Sequence, residues 1–363
     1  MRRLLKRIHL WLSIPAGIII MLLCLTGAIM VFQEEILQLS YPERYTVSDC
    51  PQQILTLDEI VEKVNKQLVN DTITAIQVSD NPENTYVATL ASGPRSHAYI
   101  NPYTGEVTGY YSYRAGFFYQ VMRLHRWLMF KDTATGRIIT GVSTIFFVII
   151  LLTGIVAWWP RKGKPKKSFF KVKWRSGGSR RLFDLHRILG IYAVLALLLL
   201  ALTGLMWSFG WYRSGVASIF GIEQPAENRG HHGGRQGGRE GERFVSMPND
   251  WWQQALELAQ KEVDGYKSIR IAKNGAITVL AKNASHGRAN DTYRFSYEKG
   301  IVEAVSKYGD KKDQSYMMTW AYALHVGTWG GIWSKILTFF AALIGASLPI
   351  TGYMLWLKKR AKR

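Results

Sequence analysis

The chain has 363 residues, 48% of them hydrophobic, and a formal net charge of +20; its mean hydropathy is −0.03. That average is too apolar for a plain soluble basic protein and too polar for a chain lying wholly in a bilayer, so apolar and polar blocks are read separately. The positive charge excludes a simple nucleic-acid reading because of where it sits. Arg2, Arg3, Lys6 and Arg7 precede the first apolar run, ten Lys/Arg and no acid lie from Arg161 to Arg181, and Lys358, Lys359, Arg360, Lys362 and Arg363 end the chain. All three clusters flank apolar spans, which is the positive-inside pattern of a membrane protein. The 161–181 loop also suits anionic lipid.

Four stretches, roughly 10–32, 138–159, 188–209 and 335–357, are apolar over about the 20 residues that a hydrocarbon core requires. The first is longer than the apolar core of a signal peptide and lacks a small-residue cleavage pattern, so it reads as a retained anchor. With the basic clusters inside, both termini are cytoplasmic and segments 33–137 and 210–334 are external. In a bacterial inner membrane they are periplasmic. Cys24, in an apolar span, and Cys50, in a polar segment, form no redox or metal-binding spacing.

Each external segment reads as a small α+β module. In the first, Thr56 is a plausible N-cap for a helix over 56–68, and alternating runs follow at 72–79, 85–91 and 97–101 with a turn at Asn101-Pro102-Tyr103-Thr104-Gly105. In the second, 248–263 reads as a helix, with strands near 267–272, 276–281 and 292–297 and a turn at Lys299-Gly300. The expected fold is therefore an α-helical membrane protein of four transmembrane helices carrying two α+β modules. The expected order is a first span (1–32), a first module (33–114), a second span with a preceding helical segment (115–159) and a cytoplasmic loop (160–183). A third span (184–210), a second module (211–315) with a Gly-rich flexible loop at 224–243, and a fourth span with its own preceding segment (316–363) complete it.

The spans repeat. His9 aligns with His186, Leu25-Thr26-Gly27 with Leu202-Thr203-Gly204, and Phe32 with Phe209, without a gap. Likewise Leu124-His125 matches Leu324-His325, Thr153-Gly154 matches Thr351-Gly352, and Trp158 matches Trp356, with a two-residue indel between His and Thr. Each copy crosses outward and back, so the copies are parallel repeats about an axis along the membrane normal. Equivalent residues then face each other at one depth: His9 with His186 at the cytoplasmic side, His125 with His325 at the external side.

Two histidines opposed across a helical bundle are the axial ligand set of a b-type haem, so two haems are expected. Gly27 and Gly204 stand about 27 Å along the helix from their histidines, level with the external pair, while Gly154 and Gly352 are level with the cytoplasmic pair. A missing side chain there admits a flat macrocycle or a neighbouring helix, and the two readings stay open. Arg7, Arg123, Arg126 and Arg187 suit haem propionates or merely mark the interface. Trp158, Trp159, Trp207, Trp211, Trp329, Trp333 and Trp356 read most simply as an aromatic belt. His97 and His286 read as surface residues, and His231 and His232 as part of a solvated linker that a metal could visit. There is no nucleophile triad, phosphate-binding glycine loop, HExxH or flavin or nicotinamide motif, so any flavin donor is a separate protein.

With Ile8-His9-Leu10-Trp11, Leu124-His125-Arg126-Trp127-Leu128, Trp158-Trp159-Pro160, Leu185-His186-Arg187 and Leu324-His325, the four Thr-Gly pairs and the external turn Ile100–Val107, the whole chain resembles the PepSY-associated transmembrane helix family. The resemblance implies an iron-regulated inner-membrane protein, similar to dihaem reductases that release iron from ferric siderophores in the periplasm. His9, His186, His125 and His325 carry over as haem ligands, whereas Val326 stands where Arg126 follows its histidine. The expected partners are a ferric siderophore or other periplasmic ferric complex, a cytoplasmic or quinol electron donor and the lipid bilayer. Two rival readings are a non-enzymatic PepSY binding or inhibitory protein whose helices are only anchors, and a transporter. The scarcity of ionisable groups within the spans speaks against the transporter.

Overall fold

The computed structural model describes residues 1–50, 53–69, 71–93, 95–159, 170–222, 251–296 and 298–361. In chain order the first elements are α1 (Arg2–Val31), α2 (Gln33–Ser40), α3 (Pro42–Tyr45), α4 (Leu57–Gln67), β1 (Ile73–Ser79), β2 (Tyr86–Leu90), β3 (Ser96–Ile100) and β4 (Val107–Ser112). Then come α5 (Phe117–Trp127), α6 (Thr133–Trp158), α7 (Gly178–Ser208), α8 (Gly210–Ile219) and α9 (Trp252–Lys261). The chain closes with β5 (Tyr266–Ala272), β6 (Ala276–Ala281), β7 (Asn290–Ser296), β8 (Ile301–Ser306), α10 (Gln314–Val326) and α11 (Gly331–Arg360). The Gly-rich loop with His231 and His232 lies outside the described residues. Two compact units result: a helical one (Met1–Gln33, Phe117–Gly221, Met318–Arg363) and one built on a sheet (Glu34–Gly116, Ile222–Met317).

In the helical unit, α1, α6, α7 and α11 are long and apolar enough to cross a membrane. Each of α1 and α7 packs against both α6 and α11, so α1 and α7 stand diagonally across a four-helix ring. The interior between them is apolar, with Ile20, Phe147, Ile150, Leu151, Val194 and Leu197 in one cluster. Small residues let the helices close in. Gly17 lies under Tyr353, whose hydroxyl donates to the Ile14 carbonyl at 2.6 Å, and a Cβ at Gly17 would sit 2.6 Å from that hydroxyl.

Two shorter helices, α5 and α10, precede α6 and α11 and end in left-handed backbone. Leu128 and Met129 have φ of 50° and 62°, and Gly327 has 79°. This backbone is costly for Leu and Met and free for Gly. The reversal turns His125 and His325, near the ends of these helices, inward. Gly136 completes the first corner, because a side chain there would overlap the Trp127 backbone. In the second, Ser334 Oγ donates to the Gly327 carbonyl at 2.6 Å. Thr153 and Thr351 each stand twenty residues into their helices (133 to 153, 331 to 351). The two-residue indel seen in the sequence therefore falls wholly before these helices begin.

In the sheet unit the two segments expected as α+β modules join. Its strands form one eight-stranded antiparallel sheet in the order β4-β3-β2-β1-β5-β6-β7-β8, joined where β1 pairs with β5 through Gln77↔Arg270. The edge strands β4 and β8 lie outside the strands expected from the sequence, because β4 is half-buried with little alternation and β8 is mostly exposed. One face of the sheet is covered by α4 and α9 in a single core that includes Ile60, Val64, Ile76, Ile269 and Ile277. Trp251 is 1% exposed and stacks between Trp252 at 4.7 Å and Phe295 at 5.5 Å. Thr56 and Glu59 form the capping box of α4, a motif in which the cap side chain contributes about 1 kcal/mol. The two helices also cap one another. Asp58 accepts from the Trp252 and Gln253 N–H groups at 3.0 and 3.2 Å, and Gln253 Oε1 accepts from Leu57 N–H at 3.0 Å.

Candidate cofactor site: two facing histidine pairs

The helical unit holds four histidines in two pairs. The His9 and His186 rings, on the diagonal helices α1 and α7, have centroids 6.5 Å apart. His125 on α5 and His325 on α10 are 6.2 Å apart. His125 contacts Thr26, which lies 17 residues beyond His9 (26 minus 9) on α1, so the pairs are separated by about 25 Å of helix.

Each ring is anchored by the same device. His125 Nδ1 lies 3.0 Å from the Leu23 carbonyl and 3.0 Å from Thr26 Oγ1. His325 Nδ1 makes the equivalent contacts with Leu200 O and Thr203 Oγ1, both at 3.0 Å. His9 Nδ1 lies 2.9 Å from Ile150 O and 3.3 Å from Thr153 Oγ1, and His186 Nδ1 lies 2.8 Å from Thr351 Oγ1. Each threonine already donates its hydroxyl proton to a carbonyl one turn back: Leu22, Ile149, Leu199 and Ser347. Carbonyl and threonine oxygen alike can then only accept from the ring. The proton is assigned to Nδ1, leaving the Nε2 lone pair available to a metal.

The recurring pairing of threonine and glycine has its explanation in this contact. A Cβ on Gly27 or Gly154 would be 3.3 Å from Cε1 of His125 or His9, and on Gly204 3.2 Å from Cε1 of His325. Gly352 is looser, at 3.6 Å from His186. The expected readings for these glycines were a macrocycle or a neighbouring helix; what lies against each is an imidazole ring. Thr26, Thr153, Thr203 and Thr351 are the residues whose role the sequence left undefined, and their fourfold recurrence beside glycine was the available signal.

Chemically, a pair of imidazoles supplies two ligands. Among the described residues no group of three His, Cys, Asp or Glu side chains could hold a bare metal ion, so two facing imidazoles suit a metal whose other positions are filled by a planar ring. With a metal–imidazole bond of about 2.0–2.1 Å and a ring radius of about 1.2 Å, two rings on one metal have centroids about 6.4 Å apart. Both pairs lie within 0.2 Å of that separation. A further fit comes from enclosed N–H groups that have no hydrogen-bond acceptor among the described residues: Arg2 Nε, Trp158 Nε1 and Arg213 Nε. Arg2 also donates to the Ala157 carbonyl at 2.9 Å, which sets it beside Trp158, and Trp158 lies one turn beyond Gly154 on the face that meets His9.

A sequence-family model described as the PepSY-associated TM region matches residues 6–359. The chain belongs to this family. It is a multi-pass membrane protein with a separate antiparallel sheet unit. No curated protein sequence is significantly similar to it.

In this PepSY-associated chain two of the expected arginines, Arg187 and Arg126, are engaged locally. Arg187 Nη2 lies 3.2 Å from Asp184 Oδ1 on its own helix, and Arg180 holds the other carboxylate oxygen at 3.2 Å; Asp184 is fully buried. Arg126 lies 5.3 Å over the Trp127 ring, and its carbonyl accepts from Thr140 Oγ1 at 3.1 Å. Two histidines of the sheet unit are not surface residues. His286 is 5% exposed, accepts from Arg288 N–H at Nδ1 (3.2 Å) and so donates from Nε2 to the Tyr308 hydroxyl at 3.0 Å. His97 is half-buried on β3, where strand alternation turns it away from the helices.

Proposed function

We propose that this protein binds two b-type haems and carries electrons across a bacterial inner membrane to a ferric complex outside, releasing its iron in the ferrous state. The observation that supports this reading most directly is the pair of imidazole separations, 6.5 and 6.2 Å, each ring held at Nδ1 by a carbonyl or threonine oxygen. Haem supplies reversible one-electron chemistry at its iron when bound. The protein's own residues do the rest. His9 and His186 hold the cytoplasmic group, and His125 and His325 the external one. The four threonines orient the rings, and the glycines let them lie against the spans. Arg2 and Trp158 at the cytoplasmic end, and Arg213 on α8, offer buried N–H donors suited to haem carboxylates.

The apolar interior between the pairs excludes water and protons, so electrons can move where ions cannot. Every histidine is anchored on its own half of the chain, α1–α5–α6 or α7–α10–α11, and faces a histidine of the other half, in keeping with two parallel copies. The basic clusters support a topology with both termini in the cytoplasm and the sheet unit in the periplasm. A protein in which the helices were only anchors would have no use for four imidazoles arranged this way. Purified protein should show a Soret band and two haems per chain in a pyridine haemochrome assay, with one lost in His9→Ala or His186→Ala and the other in His125→Ala or His325→Ala. A colourless wild type, or a haem count that the four substitutions leave unchanged, refutes the proposal.

A further inference from the structure

The face of the sheet turned away from α4 and α9 carries a set of groups that the haem reading does not use. Alternation in β3 sends Ala98 and Ile100 into the core and His97 and Tyr99 to the opposite face. Tyr111 on β4 lies directly across from His97. Following the register from His97 through Thr89 and Ala75 to Ala272 puts Arg270, two residues along β5, on this same face. No position of β1 to β7 that shares the face is Asp or Glu, and Asp71, which lines the cavity beside His97 and Tyr111, accepts from the Thr72 and Ser92 N–H groups.

His97 Nδ1 and Tyr111 Oη are enclosed and have no hydrogen-bond partner among the described residues. A buried polar atom left unpaired is disfavoured, and two on adjacent strands mark a place where a partner belongs. The surroundings fix the sign of that partner. Burial, then Arg270 and Arg95, hold the His97 pKa below its usual value against a ring hydrogen bond to the Ala88 backbone that raises it. Burial alone lowers that of Arg270, with no carboxylate opposing it. Arg44 runs across the same face, its Cγ 2.8 Å from where a Cβ of Gly109 would be, and it and Arg95 both act on Tyr111. A half-buried guanidinium, two further arginines, a phenol and an imidazole nitrogen that becomes a donor beside negative charge make an oxyanion site.

We propose that this face, between His97, Tyr111, Arg95 and Arg270, binds a small polycarboxylate. The carboxylates take their hydrogen bonds from the arginine forks and the Tyr111 hydroxyl, and His97 completes the ring of donors. Where iron arrives as the chelate of such an acid, the same site selects an anionic ferric complex; that extension rests on the proposed function, whereas the anion site does not.

The test is isothermal titration of the full-length protein in detergent with citrate, ferric citrate, inorganic phosphate and a cationic ferric hydroxamate. Citrate and ferric citrate should bind saturably, with phosphate weaker and the cationic chelate showing no binding that depends on these residues. Losing a charge-assisted hydrogen bond weakens binding about tenfold or more, expected for Arg270→Ala, and losing a neutral donor about fivefold, expected for Tyr111→Phe. Tyr111→Phe preserves the ring, and Arg270→Lys should recover part of the loss, so misfolding is separable from loss of the site. No saturable citrate binding by the wild type, equal binding of phosphate and citrate, or variants that bind as the wild type does would each overturn the proposal. His325→Ala should keep full citrate affinity, so a failure of the haem reading and a failure of the anion site give different results.

Discussion

Thr203→Val is the sharpest probe of how the histidines are held. Valine keeps the β-branch and nearly the volume, so it removes one hydroxyl and leaves no cavity. In the structure that oxygen donates to Leu199 O at 2.7 Å and accepts from His325 Nδ1–H at 3.0 Å. After substitution, the ring keeps only the Leu200 carbonyl at 3.0 Å. One neutral hydrogen bond contributes about 0.5–1.5 kcal/mol, a factor of roughly two to ten, and outer partners of metal-bound histidine typically matter about 10–100-fold. Because one of two anchors survives, the lower end applies: about a tenfold faster loss of the external haem. The assay is transfer to excess apoglobin, followed by absorbance, in a His9→Ala background that leaves one exchanging centre. Thr26→Val should behave like Thr203→Val, and Thr153→Val, which supports only His9, should have no effect there. Wild-type release from both Thr203→Val and Thr26→Val, or equal damage from Thr153→Val, would show that the threonines do not position these rings.

The glycine contacts predict a graded series. Gly204→Ala, whose Cβ would be 3.2 Å from the His325 ring, should lower haem retention, while Gly352→Ala, at 3.6 Å from His186, should not; equal effects by haem count would contradict the geometry. Gly17→Ala would drive a Cβ to 2.6 Å from the Tyr353 hydroxyl and break its bond to Ile14, costing about 1–3 kcal/mol. Tyr353→Phe, which deletes only the hydroxyl, should cost less, and the reverse order in thermal unfolding would refute this. His286 adds a pH dependence. Its folded-state pKa is lowered by burial, then by Arg288, so the unfolded chain binds the proton first as pH falls below about 6.5. Its contribution to stability is whole above that value and is lost as pH drops toward the folded pKa. The unfolding temperature of the sheet unit should therefore fall from pH 7 to 5, less steeply in His286→Gln; equal slopes would rule His286 out.

How much of this was legible in the sequence depended on whether the signal was local. The spans announced themselves by hydropathy, and α4 by its Thr56 cap and helical spacing. The histidine pairing follows from the topology expected of the sequence, in which two parallel copies would put equivalent residues at one depth. What the sequence concealed was contact across distant segments. Gly204 abuts a ring 121 positions further on (325 minus 204), and nothing near Gly204 names that partner. The edges of the sheet were hidden for a different reason: β8 is exposed at most positions, so burial writes no alternation into it. His286 and His97 looked like surface residues because each follows a serine in a polar stretch, while their burial comes from strand pairing and from Tyr308.

The arrangement of anchors carries a mechanical consequence. Each ring donates its hydrogen bond within its own half of the chain: His125 to α1, His9 to α6, His186 to α11 and His325 to α7. Only the facing of the rings crosses between halves within each pair. A group held by both members of a pair therefore ties α1 to α7, helices that stand diagonally and have few direct contacts, and ties α5 to α10. Binding energy at either pair then acts as cohesion between the halves. The ligand sites and the fold of the helical unit should depend on each other more than four separate side chains in a bundle would suggest.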